Sequence, residues 1–142
     1  MTDFTKQKIF EKIENLKEYL GYLQKLREEA GNEDKFTSDF HLFGNVERYL
    51  QLSIQSILDV THLILMDLGI KKPEDNYESI AFLFNQKIIS EDLADKLTKM
   101  VGLRNILVHE YGKIDRKIIY KVLSTQLDDI YEFETQIFSY LK

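Results

Sequence analysis

The spacing of apolar residues is the feature of this sequence that most constrains its fold. Apolar side chains recur at steps of three and four, as they do along one face of an α-helix, and no segment shows sustained alternation with a period of two. A chain of 142 residues is long enough to bury one substantial core and too short for two full domains. We therefore predict a single all-α domain over residues 1–142. In the first segment the apolar stripe consists of Ile9, Ile13, Leu16, Leu20 and Leu23.

Helix start and stop signals divide the chain into five predicted helices. Ser90 followed by Glu91 and Asp92 is a strong start signal, because a hydroxyl caps free backbone N–H groups and the helix dipole favours acidic residues there. The expected architecture is a five-helix bundle whose first two helices are long and antiparallel. The first predicted helix ends at Gly31 and Asn32, and the second runs from about Ser38 or Asp39 to Leu68. The third runs from about Tyr77 to Gln86, with Asn76 as its cap, and the fourth from about Glu91 to His109. The fifth is capped by Asp115 and runs to Leu141.

Composition and missing motifs exclude several classes of function. The chain has no cysteine, which excludes a disulfide scaffold, a thiolate zinc site and a cysteine nucleophile. It also lacks a His-Glu-x-x-His sequence, a glycine-rich phosphate loop and a Gly-x-Ser-x-Gly elbow. No metal and no cofactor are expected. The first twenty residues interleave charges with apolar residues, so we predict no signal peptide, no membrane contact and a cytoplasmic location.

Charge is distributed unevenly along the chain. The net charge of −5 argues against a protein that coats nucleic acid in general, because such proteins neutralise phosphates with Lys and Arg. Residues 87–127 nevertheless hold eight Lys and Arg against five Asp and Glu, whereas residues 1–86 have a net charge of −5 and residues 128–142 one of −3. If the protein meets phosphate, residues 87–127 are the predicted place.

The second predicted helix is apolar on more than one side. A helix of this kind is normally buried on several sides, so we expect a second subunit to cover part of it. A narrow polar line interrupts the apolar surface, and it is either a solvated face or a seam that borders a cleft between two subunits. The residues off the main stripe are Val46, Tyr49, Val60, Leu63 and Ile64. The polar line consists of Arg48, Gln51 or Gln55, Asp59 and His62.

Most of the reactive side chains lie close together near the end of the fourth predicted helix. Arg104 is a permanent cation whose planar fork can hold two phosphate oxygens. His109 can exchange a proton near neutral pH, and Tyr111 adds a hydroxyl just after the helix. Asn105 lies four residues before His109 and shares its face, where its amide could orient the imidazole or a ligand oxygen.

The spacing of Arg104 and His109 argues against direct convergence. Five residues correspond to about 140° around a regular helix, so the two side chains leave it in different directions. They meet only if the arginine reaches round the helix or if the last turn loosens. The structural alternative is that Arg104 is a surface cation, His109 interacts with free carbonyls at the helix end, and Tyr111 packs beyond it.

These residues resemble a known family. Arg104-Asn105-(x)3-His109-x-Tyr111 is similar to the Arg-(x)4-His-x-Tyr motif of the HepT-like branch of the HEPN superfamily, the toxin halves of minimal nucleotidyltransferase/HEPN toxin–antitoxin pairs. Residues 47–51 and 57–62 resemble the second helix of that family, and residues 100–111 are close to its typical form throughout. The resemblance spans nearly the whole chain, although residues 1–43 add little to it.

The resemblance implies a metal-independent endoribonuclease that acts as a homodimer, with the motifs of two subunits meeting at the interface. Two His109 side chains would then supply a base and an acid, and paired Arg104 side chains would hold the RNA phosphate. Asn105 would support this site, and Asp59 and His62 would border its cleft.

The resemblance also implies a regulatory partner. A cognate nucleotidyltransferase antitoxin would transfer AMP to Tyr111, and the added charge and bulk would block RNA. The expected partners are a second copy of the chain, this antitoxin and RNA, with no DNA. The alternative is a non-catalytic HEPN adaptor that binds a nucleotidyltransferase or a nucleotide, which the net charge of −5 favours and the intact Arg-His-Tyr set opposes. A helical bundle with a purely structural role is a third interpretation.

Overall fold

The computed structural model describes residues 1–109 and 115–142, and over these ranges the chain forms seven α-helices and no strand. The predicted all-α class is confirmed, and the predicted number of five helices is wrong. The helices are α1 (Asp3–Ala30), α2 (Glu33–Ser38), α3 (Phe40–Asp67), α4 (Asn76–Asn85), α5 (Glu91–His109), α6 (Arg116–Thr125) and α7 (Leu127–Leu141).

The local signals located most helix ends correctly. Gly31 follows α1 with φ of 69°, a conformation that favours glycine, and its N–H donates to the carbonyl of Arg27. The Ser90 hydroxyl accepts from the N–H of Leu93 at 3.2 Å, which confirms the predicted start of α5. At α4 the cap is Asp75 rather than Asn76, because the Asp75 carboxylate accepts from the Glu78 N–H at 2.8 Å.

Two differences account for the extra helices. The six-residue α2 is too short to show a periodic pattern in the sequence. In the structure, Asn32 caps it and its residue Phe36 is fully buried. The last predicted helix is interrupted at Gln126, which separates α6 from α7. The apolar spacing runs through this interruption without a change, since Leu123 and Leu127 are both buried and four residues apart. Periodicity alone therefore predicted one helix.

Helix α3 is the centre of the fold and contacts α1, α2, α4, α5 and α6. Its longest contact is with α1, and the two are antiparallel, since the amino group of Met1 lies 3.9 Å from the Asp67 carboxylate. Val46, Val60 and Ile64, which lie off the main stripe, are fully buried within one chain. These three residues therefore need no second subunit to cover them, whereas Tyr49 and Leu63 are only partly buried.

Helix α5 packs against both α3 and α4, which positions Arg104 beside the polar line of α3. None of the helices within the described ranges combines the length and the apolarity required to cross a bilayer. Tyr111 falls between those ranges, so its predicted role lies outside the described residues.

Candidate active site

A continuous set of polar contacts connects the motif arginine to α3 and α1. The guanidinium of Arg104 on α5 is partly buried, and its Nη2 donates to Oε1 of Gln55 on α3 at 2.9 Å. Nε2 of Gln55 in turn donates to Oδ1 of Asp59 at 2.9 Å, one helical turn further along α3. Oδ2 of Asp59 lies 3.2 Å from Nζ of Lys12 on α1. We call Arg104, Gln55, Asp59 and Lys12 the polar ladder.

The ladder resolves one alternative left open by the sequence. Gln55 and not Gln51 bonds to Arg104, and Arg48, at the start of the polar line, is exposed. Asp59 joins the site only through Gln55, and its second partner is Lys12, which the sequence analysis did not single out. The part of the polar line at Gln55 and Asp59 therefore faces α5 and α1 of its own chain.

Asn105 has weaker contacts than the ladder. Its Oδ1 accepts from Nη1 of Arg104 at 3.4 Å, and its Nδ2 donates to the hydroxyl of Tyr77 on α4 at 3.4 Å. Both distances exceed the usual range of a hydrogen bond to oxygen. Asn105 thus connects Arg104 to α4, while within the described residues it has no hydrogen bond to His109.

The guanidinium of Arg104 retains unused hydrogen-bonding capacity. Within residues 1–109 and 115–142, its buried Nε has no partner, and only Nη2 makes a short bond. An arginine carries five N–H donors in a rigid fork. The buried Nε cannot reach a ligand, but Nη1, whose contact with Asn105 is long, can still donate to an anion such as a phosphate.

His109 lies in different surroundings from Arg104. It is the last residue of α5 and its side chain is exposed, and α5 remains helical up to it. The last turn therefore does not loosen, and within the described residues no hydrogen bond joins His109 to Arg104. Five residues also separate the two along the axis by about 7.5 Å.

His62 is held apart from the ladder although it follows Asp59 by three residues on α3. Its Nε2 lies 3.2 Å from the hydroxyl of the fully buried Ser79 on α4. Burial lowers the pKa of His62 below its ordinary value, and the nearby Lys72 adds to this effect while Asp59 opposes it. His62 is therefore neutral near pH 7. Within the described ranges, no group of three or more His, Asp or Glu side chains is arranged to hold a metal ion.

A cleft of about 510 Å³ opens beside the ladder, between α1, the end of α3 and the segment that follows it. Asp59 and His62 lie on its wall. Its apolar surface is formed by Leu63, Met66 and Ile70. Its remaining lining residues are the basic side chains of Lys8, Lys12, Lys71 and Lys72. We call it the lysine cleft.

The sequence also matches a known family over most of its length. The family model described as "Ribonuclease HepT-like" matches residues 9–137, which include every residue of the polar ladder and the Arg-His-Tyr motif. The chain belongs to the HepT-like ribonuclease family. The resemblance noted from the motif is thereby confirmed.

Relatives and solved structures of this family cover nearly the full chain. The mRNA nuclease HepT of Shewanella oneidensis is 30% identical over 88% of this chain and 92% of its own length. The tRNA nuclease HepT of Aphanizomenon flos-aquae is 33% identical over 99% of this chain and 95% of its own length. A solved structure of the tri-AMPylated Shewanella oneidensis HEPN toxin in complex with the MNT antitoxin has a TM-score of 0.84 at 29% identity, covering 98% of this chain and 99% of that one. A toxin–antitoxin complex with AMP-PNP has the same TM-score over 92% of this chain and 97% of that one.

Proposed function

We propose that this protein is a metal-independent endoribonuclease, that it acts as a homodimer, and that it is the toxin half of a toxin–antitoxin pair. The observation that carries this proposal is the placement of Arg104 and His109 on the last two turns of α5, in a chain whose relatives are named as RNA nucleases. The two side chains diverge within one chain. In a two-fold symmetric dimer that places the ends of the two α5 helices opposite each other, Arg104 and His109 of both subunits would face one shared cleft.

The chemistry requires two proton transfers. One His109 removes the proton of the ribose 2′-OH, whose oxygen then attacks the adjacent phosphorus. The bond between phosphorus and the 5′-oxygen breaks, and the second His109 protonates that oxygen, leaving a 2′,3′-cyclic phosphate and a free 5′-OH. The Arg104 side chains neutralise the negative charge that builds up on the phosphoryl oxygens. In this scheme Asn105 supports Arg104, Asp59 holds Gln55 in place, and His62 borders the cleft.

The test is cleavage of RNA by the purified protein in the presence of EDTA. We expect cleavage to persist with the chelator, and His109→Ala to lower its rate by about a thousandfold, within the range for loss of a general acid or base. His41→Ala is the matched control, because His41 is an exposed histidine near the start of α3, and it should retain full activity. Full activity of His109→Ala would refute the catalytic assignment. No cleavage by wild-type protein at high concentration would favour the adaptor alternative.

We further propose that a cognate nucleotidyltransferase silences the protein by modifying Tyr111. The tyrosine oxygen attacks the α-phosphorus of ATP, a phosphodiester to AMP forms, and pyrophosphate leaves. The support is that a solved relative is a tri-AMPylated toxin in complex with its antitoxin. Added phosphate charge close to Arg104 in sequence would compete with RNA for the guanidinium.

Mass spectrometry after incubation with the nucleotidyltransferase and ATP tests this step. We expect wild type and the control Tyr131→Phe to gain AMP and lose ribonuclease activity, while Tyr111→Phe gains none and stays active. Tyr131 is a suitable control because it is an exposed tyrosine on α7. AMP addition to Tyr111→Phe at the wild-type level would place the modification on another residue.

A further inference from the structure

We propose that the lysine cleft is a binding subsite for one unpaired nucleotide of RNA that flanks the cleaved bond, with its base against the apolar surface and its phosphate against the lysines. This inference rests on the ribonuclease function proposed above and adds to it a determinant of where RNA is cut. Three features of the cleft support it, namely its charge, its apolar surface and its connection to Arg104.

The first feature is a local excess of positive charge on an acidic protein. The whole chain has a net charge of −5, whereas the cleft is lined by four lysines and a single carboxylate. Lys12 is paired with that carboxylate, of Asp59, and Lys8 lies 3.8 Å from Glu11 in an exposed and therefore weak pair. Within the described residues Lys71 and Lys72 have no ion pair. The residues that line the cleft thus carry a net positive charge, which favours an anionic group such as phosphate.

The second feature is the surface between these cations. Met66 is 66% exposed, and together with Leu63 and Ile70 it forms an apolar area inside the cleft. Thioether sulfur makes favourable contacts with aromatic rings, and methionine adapts to ligands of different shape. An apolar area beside free ammonium groups matches a nucleotide, which combines a flat aromatic base with a charged phosphate.

The third feature is continuity with the motif. Asp59 belongs both to the wall of the cleft and to the polar ladder, where Gln55 joins it to Arg104. From Gln55 to Leu63 is eight residues of α3, about 12 Å along its axis. A strand of RNA with one phosphate at Arg104 would reach the cleft with a nearby nucleotide.

The same charges argue against a second copy of this chain as the occupant. A two-fold contact through the cleft would bring two sets of four lysines together, and like charges repel most strongly where water is excluded. The cleft lies where the start of α1 meets the end of α3 and opens to solvent, so RNA can enter it without displacing a helix.

The experiment measures binding of a short single-stranded RNA with 2′-fluoro sugars, which lacks the attacking hydroxyl and cannot be cleaved. We expect Lys71→Glu/Lys72→Glu to raise the Kd about tenfold or more and to reduce its salt dependence, as loss of two phosphate contacts should. The matched control is Lys25→Glu/Lys35→Glu, which makes the same charge change at exposed positions, with Lys25 about 20 Å along α1 from Lys12. The control should change the Kd less than twofold.

A second measurement isolates the base. One nucleotide of the same RNA is made abasic at each position in turn, and we expect one position to weaken binding to wild type clearly more than the others. Met66→Ser should abolish this difference, whereas Leu68→Ser should keep it, since Leu68 is also exposed at the end of α3 but does not line the cleft.

Several results would overturn the proposal. If the two double lysine variants change the Kd equally, the RNA is held only by general electrostatic attraction. If all abasic positions change the Kd equally, the cleft does not bind a base. If Lys71→Glu/Lys72→Glu binds RNA as wild type does but has a different oligomeric mass, or loses affinity for the nucleotidyltransferase, the cleft binds a protein partner instead. The RNA in these binding measurements cannot be cut, so they test the cleft separately from catalysis. Absence of cleavage in the EDTA assay would refute the proposed ribonuclease activity and would leave the outcome of the binding measurements to be judged by itself.

Discussion

Arg104 and His109 lie on the same helix five residues apart, yet their surroundings differ. Arg104 is partly buried and held by Gln55, which Asp59 holds in turn, whereas His109 is exposed at the last residue of α5. Preorganised charge is the form in which an enzyme stabilises a transition state most effectively. A general acid or base must instead reach a proton on the substrate. The difference teaches that one chain positions the cation in advance and leaves the histidine exposed. In the proposed dimer, a second chain and the RNA complete the site.

Among substitutions that probe how Arg104 is held, the largest effect is expected at the arginine itself. Arg104→Lys keeps the charge but loses the planar fork that binds Gln55 and that, in the proposed site, also binds the phosphate. We expect the cleavage rate to fall about a hundredfold, in the range for loss of one oxyanion donor. Arg48→Lys, at an exposed arginine of the polar line, is the control and should leave the rate unchanged. A normal rate in Arg104→Lys would mean that the guanidinium acts only as a point charge.

An intermediate effect is expected at Gln55, a positioning residue in the proposed site. Gln55→Leu removes the acceptor for Arg104 and the donor to Asp59, so the guanidinium loses its orientation while its charge remains. We expect the single-turnover cleavage rate to fall about tenfold, with a smaller change in Kd for uncleavable RNA. Gln51→Leu, one turn earlier on α3, should behave as wild type. A loss of affinity without a loss of rate in Gln55→Leu would contradict the positioning role.

The smallest effect concerns His62, which sharpens the contrast with the exposed His109. Because its pKa is lowered in the folded protein, the unfolded chain binds a proton there more readily below about pH 6.5. The free energy of unfolding should therefore decrease as the pH falls from 7.5 to 5.5, and less so in His62→Gln. Urea denaturation at both pH values measures this. His41→Gln serves as the control, and an equal pH dependence of wild type and His62→Gln would show that His62 contributes nothing to it.

Local signals explain which parts of the fold were predictable. The start of α5 was predicted correctly because its cap, Ser90, and the acidic residues of its first turn are consecutive in the sequence. The separation of α6 from α7 was not predicted, since the apolar stripe continues through Gln126. Likewise, both Gln51 and Gln55 fit the polar line, and only the position of α5 along α3 selects Gln55 as the partner of Arg104.

The lysine cleft shows the same limit at the level of charge. Counted along the chain, residues 1–86 are net acidic, and phosphate contact was expected in residues 87–127. In the fold, the antiparallel packing of α1 on α3 brings lysines near residue 10 beside lysines just after α3. Charge counted over a continuous segment of sequence cannot reveal this cluster of lysines, because its members lie about sixty residues apart.

The sequence by itself determined the helical class, most helix ends and the family, because these depend on periodicity, caps and a motif within short stretches of chain. Tertiary structure decided that Arg104 is held through Gln55 and Asp59, that Lys12 pairs with Asp59, and that four lysines share one cleft. Such features depend on how far each helix slides and rotates against its neighbours. That placement is set by the packing of the whole core, to which residues from every part of the chain contribute at once.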